Sequence, residues 1–291
     1  MIQQESLEKS VAEPTSLRLE LRLRPGSIGG YVILLLLFLI YAIPLVFVLF
    51  VAVETNTQFN TNAAALPSPV LLSNFPDAWV QGTFGSYFGN TLLDTFAVVG
   101  GTLVVGTLAA YPIARKHVRG SNGFYLLFLS GLLLPAGIIP QFFVLNALGI
   151  YDTRIGYIFL WISRIALPIF ILTGFVQGIS PELDDAAAID GCSYRRYVFQ
   201  VIAPLLQPAL AVVGLIVSIH VWNDIIGPVI FLPSNDIKPI SAGLFQFYSE
   251  FTAQWTLIGA AIVMTASPLV LLFLFTQRYI VAGITSGALK G

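Results

Sequence analysis

Long apolar stretches alternate with short polar clusters along the whole chain. Six stretches reach the roughly 20 residues that a helix needs to cross a hydrocarbon core about 30 Å thick. They run from Gly29 to Val53, Ser86 to Pro112, Phe124 to Leu148, Ile155 to Ile179, Ala209 to Leu232 and Trp255 to Phe275. Membrane strands would instead show about ten residues of strict apolar and polar alternation, which these runs lack. The pattern predicts an all-α, polytopic membrane protein with six transmembrane helices. The first run exceeds the apolar core of a secretory signal and no small-residue cleavage site follows it, so it is expected to stay in the mature chain. Pro44, Pro135, Pro140, Pro168, Pro228 and Pro268 fall inside these runs. Each is expected to kink its helix.

Composition agrees with lipid as the main solvent: of 291 residues, 56% are hydrophobic and 10% charged, against about a quarter charged in soluble domains. Fourteen Lys and Arg against fifteen Asp and Glu leave a net charge of -1, so no basic field points to nucleic acid. The single cysteine, Cys192, permits no internal disulfide. Lys and Arg favour cytoplasmic loops, and their positions orient the spans. Lys9, Arg18, Arg22 and Arg24, then Arg115, Lys116 and Arg119, then Arg195 and Arg196, and finally Arg278 and Lys290 share one side. Both termini are therefore expected in the cytoplasm, with residues 1–28 and 281–291 as tails around a 29–280 membrane domain. Arg154 and Lys238 are left in opposite-side loops, and Arg164 inside the fourth span.

Several chemistries are missing from the sequence. His117 and His220 are far apart and no His-Glu-x-x-His pattern occurs, which argues against a zinc protease; there is no Gly-x-Ser-x-Gly elbow either. Without a Gly-x-x-x-x-Gly-Lys-Ser/Thr loop the chain is not expected to hydrolyse ATP, and it is read as a non-enzyme with no metal site. The first and last three spans show no clear self-similarity, which weakens an inverted-repeat transporter. The outer loop from Glu54 to Gly85 carries Phe59, Phe75, Trp79 and Phe84, read as interfacial anchors or as a docking face for an external partner.

The inner segment from Ser180 to Pro208 is too long for a simple connector. Ser180, then Pro181 at the first helical position, then Glu182, Asp184 and Asp185 near the positive helix end form a helix start. Gly191 fits a left-handed stop. After Ser193, which is placed to cap, the residues Tyr194, Tyr197, Val198, Val201 and Ile202 form an apolar stripe at helical spacing, closed by Pro204 and Pro208. A short helix, a glycine turn and an amphipathic helix are predicted on the cytoplasmic side. Small alanines beside carboxylates suit close approach by another protein, or packing against the chain's own spans.

Asp185-Ala-Ala-Ala-Ile-Asp-Gly191, followed by Ile202-Ala-Pro204, resembles the Glu-Ala-Ala loop of permease subunits of binding-protein-dependent ABC importers. Asp185 stands where that family usually has Glu, and Ala203 where it has Leu. Asn90-Thr91-Leu92, Trp222-Asn223-Asp224 with Pro228, Gln277-Arg278-Tyr279 with Gly283, and the ending Gly287 to Gly291, with Leu289 for the usual Val, are similar to the carbohydrate, maltose-type group. The resemblance implies that Asp184, Asp185, Ala186, Ala187, Asp190, Gly191 and Pro204 couple to an ATPase. It implies as partners a second, different permease, two ATP-binding subunits that carry the ATP and Mg, and an extracytoplasmic solute-binding protein, in a bacterial or archaeal plasma membrane. It also implies that Pro233 to Gln254 faces the binding protein, that Gly283 to Gly291 approaches the ATPases, and that the cargo is a sugar or related polyhydroxylated solute.

Ionisable groups at membrane depth are costly and usually face a bundle interior or cavity. Asp94, Arg164, His220 and Asp224 are such groups, with Trp222 and Asn223 beside them as candidates to stack on a sugar and bond its hydroxyls. They are read either as lining a translocation path or as internal pairs that hold helices together, for example Arg164 with one of the aspartates. Ion coupling through Asp94, Arg164 and Asp224 would make the chain a secondary transporter or channel, and a non-transporting scaffold is a further alternative.

Overall fold

A computed structural model describes residues 28–134, 137–247 and 254–288. The N-terminal tail read above, residues 135–136 and the extreme C-terminus lie outside the described residues. Among those described, all regular structure is helical, in agreement with the predicted class. The chain divides into two compact units, Met1–Phe47 and Val48–Gly291. The apolar helix α1 (Ile28–Val53) accounts for the described part of the first and enters the second with Val51 and Ala52.

The second unit is built around α4 (Phe84–Ala114), which follows two short helices, α2 (Asn56–Asn62) and α3 (Asn74–Gln81). After α4 come α5 (Ser121–Ser130), α6 (Ile138–Ala147), α7 (Arg154–Ser163), α8 (Ala166–Gln177) and α9 (Glu182–Ile189). Then α10 (Tyr194–Tyr197), a π-turn and α11 (Ala203–Leu205) form one bent rod that leads into α12 (Gln207–Trp222). The short helices α13 (Ile226–Phe231) and α14 (Ile240–Gly243) precede the long α15 (Trp255–Ala288). Helix α4 buries Asp94, Val98, Thr102, Gly106 and Ala110 along its length. It packs on α3, α7, α8 and α12.

Among the described residues, three helices are each long and apolar enough to cross a membrane alone: α1, α4 and the Trp255–Gln277 part of α15. The count becomes five if each of two bent pairs is one span, α7 with α8 (49°) and Tyr194–Leu205 with α12 (83°). The six predicted stretches therefore do not map one to one onto straight helices. The third is divided between α5 and α6, the fourth between α7 and α8, and the fifth between α12 and α13.

Pro168 and Pro228 lie at breaks, whereas Pro44, Pro112 and Pro268 are carried inside continuous helices, so not every proline interrupts its span as expected. Lacking an N–H, a proline leaves the carbonyl four residues before it without its helical donor. At Pro168 that carbonyl belongs to Arg164, where α7 ends and a new helix begins. At Pro228 it belongs to Asp224, and the hydroxyl of Ser241 donates to it at 2.6 Å. At Pro112 it belongs to Leu108, which accepts the Tyr194 hydroxyl at 3.2 Å. At Pro268 it belongs to Met264, which accepts Ser267 Oγ at 2.9 Å. Buried backbone groups need partners, and side-chain hydroxyls supply three of the four. Pro204 does not close its helix as predicted. The register widens ahead of it, with the Ala203 N–H donating to Val198 O, and the rod continues to Leu205.

Of the aromatic loop residues, Phe84 enters a core, Phe59 and Phe75 are half-buried, and Trp79 stays exposed. Phe84 is fully buried with Ala78, Tyr87, Trp222, Ile240 and Leu257, and Phe75 packs against that cluster. Trp79 lies against Phe84 and Phe88, and Phe59 stacks on Trp255. Asn90 and Thr91 fasten the Pro233-to-Gln254 loop to α4. Asn90 Nδ2 donates to the carbonyls of Asp236 and Lys238 (2.8 and 3.0 Å), and Thr91 Oγ1 accepts the Ile240 N–H at 2.8 Å.

Candidate functional site: a latched coupling element and a junction of broken helices

Helix α9 begins one residue later than predicted, with Pro181 as its cap residue and Ser180 Oγ accepting the Glu182 N–H at 3.3 Å. It ends as predicted at Gly191, whose φ is +65°. The Cys192 N–H donates to Ala187 O (2.9 Å) and the Gly191 N–H to Ala188 O (3.1 Å), the paired bonds of a Schellman stop. Ser193 has extended dihedrals but makes no side-chain cap bond. The predicted apolar stripe of the next helix faces inward: Tyr197, Val198 and Ile202 are buried with Tyr111, Val176 and Leu206.

The seven predicted coupling residues separate into two faces. Asp185, Ala186, Asp190 and Gly191 are exposed, whereas Asp184 and Ala187 turn inward and Pro204 lies at the far end of the rod. Asp184 Oδ2 meets Arg115 Nε at 2.6 Å as a contact of opposite charges rather than an in-line hydrogen bond. Its Oδ1 accepts the hydroxyls of Tyr111 (3.3 Å) and Tyr197. Arg115 also donates to the carbonyls of Ile179 (3.0 Å) and Ser180 (3.4 Å). One arginine at the end of α4 thus holds both the end of α8 and the start of α9. Burial first, then the hydrogen bond and charge of Asp184, push the Tyr197 hydroxyl well above its ordinary range, so it remains a donor at any physiological pH. Arg115, Tyr111, Tyr197 and the 87% exposed Ile189 were not among the predicted site residues. Ile189 was legible as an isoleucine one turn after Asp185 on the same helix face; the arginine pairing depends on residues more than sixty positions apart.

Of the six predicted membrane-depth residues, the structure engages three, Asp94, Asp224 and Trp222, as packing or pairing groups inside the fold. Asp94 is 1% exposed and pairs with Arg154 (2.9 Å), which also binds Asn90 Oδ1 at 2.7 Å. Arg154, read from sequence as a loop cation, is the first residue of α7 and ties that helix to α4. The expected pairing of Arg164 with an aspartate does not occur. Asp224 accepts Tyr157 OH (2.9 Å) and Trp161 Nε1 (3.2 Å) through Oδ2, and the Gly227 N–H (2.9 Å) through Oδ1. A Cβ at Gly227 would come within 2.1 Å of that carboxylate, so only glycine allows Asp224 to sit over the start of α13. Trp222 is also spoken for: it is 3% exposed, donates to Thr265 O at 2.8 Å and meets Phe88 edge-on. Asn223 is exposed and donates to Ile219 O at 2.8 Å.

Arg164 and His220 remain, and they share a cavity of about 210 Å³ with Thr102, Trp161, Leu167 and Ile216. The Arg164 guanidinium lies 4.3 Å over the Trp161 ring. A larger groove, about 460 Å³, runs between α4, α12 and α15 and is lined chiefly by leucine, phenylalanine and valine. Its hydrocarbon walls offer a sugar few hydrogen bonds.

The Arg154 pairing leads to a direct expectation. Removing one member of a buried pair strands the other charge at a cost of roughly 3–5 kcal/mol, whereas an apolar pair in its place is often neutral. Arg154→Met should markedly lower the thermal unfolding temperature in detergent, and adding Asp94→Leu should recover most of the loss. Equal melting of wild type and Arg154→Met would show that the pair does not hold α7 on α4.

Residues 102–286 match the family model described as the binding-protein-dependent transport system inner membrane component. The melibiose/raffinose/stachyose import permease protein MelC of Bacillus subtilis is 31% identical over 229 residues, which cover 77% of this chain and 83% of MelC. The arabinooligosaccharides transport system permease protein AraQ of Halalkalibacterium halodurans is 31% identical over 256 residues, covering 85% of this chain and 91% of AraQ. A chain in the crystal structure of a bacterial ABC transporter involved in the import of the acidic polysaccharide alginate has the same fold. It superposes with a TM-score of 0.79 at 23% identity, covering 87% of this chain and 96% of that one. The family match contains the whole latched element and both broken-helix segments, and with it the chain belongs to the binding-protein-dependent transport system inner membrane components, the permeases of ABC importers.

Proposed function

We propose that this chain is one of two different permease subunits of an importer that carries a sugar or related polyhydroxylated solute inward across the plasma membrane. Two cytoplasmic ATP-binding subunits hold the ATP and Mg, an extracytoplasmic binding protein delivers the solute, and both termini of this chain face the cytoplasm. The permease itself performs no catalysis. The observation that carries the reading is the exposed face of α9: Asp185, Ala186, Ile189 and Asp190 stand free of the fold while Asp184 anchors the opposite side. Closure of the ATP-binding subunits would push this face, and the Asp184–Arg115 contact passes the movement to α4, α8 and the helix junction above. Sugar as cargo is supported by MelC and AraQ, whose names give melibiose, raffinose, stachyose and arabinooligosaccharides. The ion-coupled alternative is disfavoured because Asp94 and Asp224 already have partners.

Charge reversal of the free face tests the reading. Asp185→Lys should abolish ATP-dependent sugar uptake in membrane vesicles and prevent the ATP-binding subunits from co-purifying, with the permease still inserted. Uptake driven by an ion gradient in vesicles without any ATP-binding subunit would overturn the assignment.

A further inference from the structure

The cavity at the end of α7 contains more chemistry than a neutral sugar requires. Arg164 occupies the break between α7 and α8, a place where non-helical backbone at membrane depth is tolerated only when it is buried in protein or lines a cavity. Arg164 is exposed in this chain, and among the described residues no carboxylate pairs with it. The two carboxylates in the predicted spans are committed elsewhere, Asp94 to Arg154 and Asp224 to Tyr157 and Trp161. The guanidinium carbon lies 4.3 Å from the centre of the Trp161 ring, a contact with the ring face that does not consume the N–H groups.

Two further groups complete the site. Thr102 is 2% exposed, lines the same cavity from α4, and its hydroxyl has no hydrogen-bond partner among the described residues. His220 comes from α12, with Nδ1 placed 2.8 Å from Ile216 O; in the tautomer that donates there, Nε2 is left as an acceptor. The cavity thus combines a planar cation, a buried hydroxyl and a ring nitrogen able to accept a sugar O–H. Its volume of about 210 Å³ equals that of roughly seven waters at ~30 Å³ each, which suits a single sugar ring rather than an oligosaccharide.

We propose that this cavity is a carboxylate-recognising subsite, in which Arg164 binds the acid group of a uronate-type sugar while Thr102 and His220 bond its hydroxyls. The proposal rests on the reading of the chain as a sugar-importer permease and specifies its cargo as acidic. Arginine matches the two oxygens of a carboxylate bidentately, in a way lysine does not.

The test uses the assembled importer in proteoliposomes with two probes, digalacturonate and the neutral disaccharide melibiose. Wild type should import digalacturonate in preference to melibiose. Arg164→Gln should lower digalacturonate uptake at least about tenfold relative to melibiose uptake by the same variant, the scale of one charge-assisted contact. Arg164→Lys should restore part of it. Undiminished digalacturonate uptake by Arg164→Gln, or a wild type that imports melibiose alone, would overturn the subsite and leave sugar import standing. Loss of subunit assembly in Arg164→Gln would also overturn it, since the counter-charge would then lie in the second permease. Absence of ATP-dependent uptake of either sugar by wild type would bring down the sugar-import reading itself.

Discussion

Replacing Gly191 with valine is expected to abolish uptake while the protein remains in the membrane. At φ +65° this residue occupies the left-handed region, which costs an ordinary L-residue roughly 1–2 kcal/mol and a β-branched one more. A Cβ here would meet nothing within 4 Å, so the penalty is one of backbone conformation and not of collision. To relieve it, the chain must abandon the Cys192-to-Ala187 and Gly191-to-Ala188 bonds. Helix α9 then loses its fixed angle to the rod that follows. A substitution series separates this cause from others. Gly191→Asn should be mildest because asparagine tolerates the left-handed region, alanine intermediate, and valine severe. Gly191→Trp adds bulk that nothing in this chain opposes, so a loss beyond that of valine would report a protein docked against the turn. Wild-type uptake and undisturbed association with the ATP-binding subunits in both valine and tryptophan variants would refute the coupling role.

A second large effect is expected at the Arg115–Asp184 contact. With side-chain exposures of 8% and 16%, the pair lies mostly out of water, and removal of either member should cost about 3 kcal/mol, the lower end for a buried pair. Arg115→Ala should be the more damaging, because the same guanidinium also satisfies the carbonyls of Ile179 and Ser180. Asp184→Asn keeps an oxygen for the Tyr111 and Tyr197 hydroxyls but loses the charge. The expected readout is uncoupling: ATP hydrolysis by the assembled importer continues while solute imported per ATP falls. Retention of the wild-type ratio in Arg115→Ala would show that α9 reaches the membrane helices by another route. The latch itself should be insensitive to pH across the physiological range. Tyr197 has its hydroxyl raised above its ordinary value, so the stability it contributes is fully present below the unfolded value near ~10 and is lost only as pH rises through the folded one.

Much of the coupling element was legible in the sequence because its determinants are local. An acidic first turn, a glycine stop and a stripe at helical spacing act within a few residues of one another, and all three reappear in the fold. Pro204 stops its helix one residue late for a local reason as well: one wider turn ahead of it accommodates its missing N–H, and the rod ends at Leu205. The partners of the membrane-depth charges were not legible. Asp94 finds Arg154 sixty positions away, and Asp224 finds Tyr157 and Trp161 at comparable separation. Nothing in spacing distinguishes Arg154 from Arg164 as the partner, since both flank α7.

The sequence by itself determined a helical membrane protein and the exposed acidic helix with its glycine turn, because hydrophobic run length and backbone preference act residue by residue. Only the tertiary structure decided which charges are used up inside the fold and which are left facing a cavity. Pairing depends on which helices lie side by side, and that is set by how α4, α7, α8 and α12 pack rather than by any single stretch of chain. The same packing turned Asp184 inward to Arg115 and left Arg164 over Trp161 without a carboxylate among the described residues.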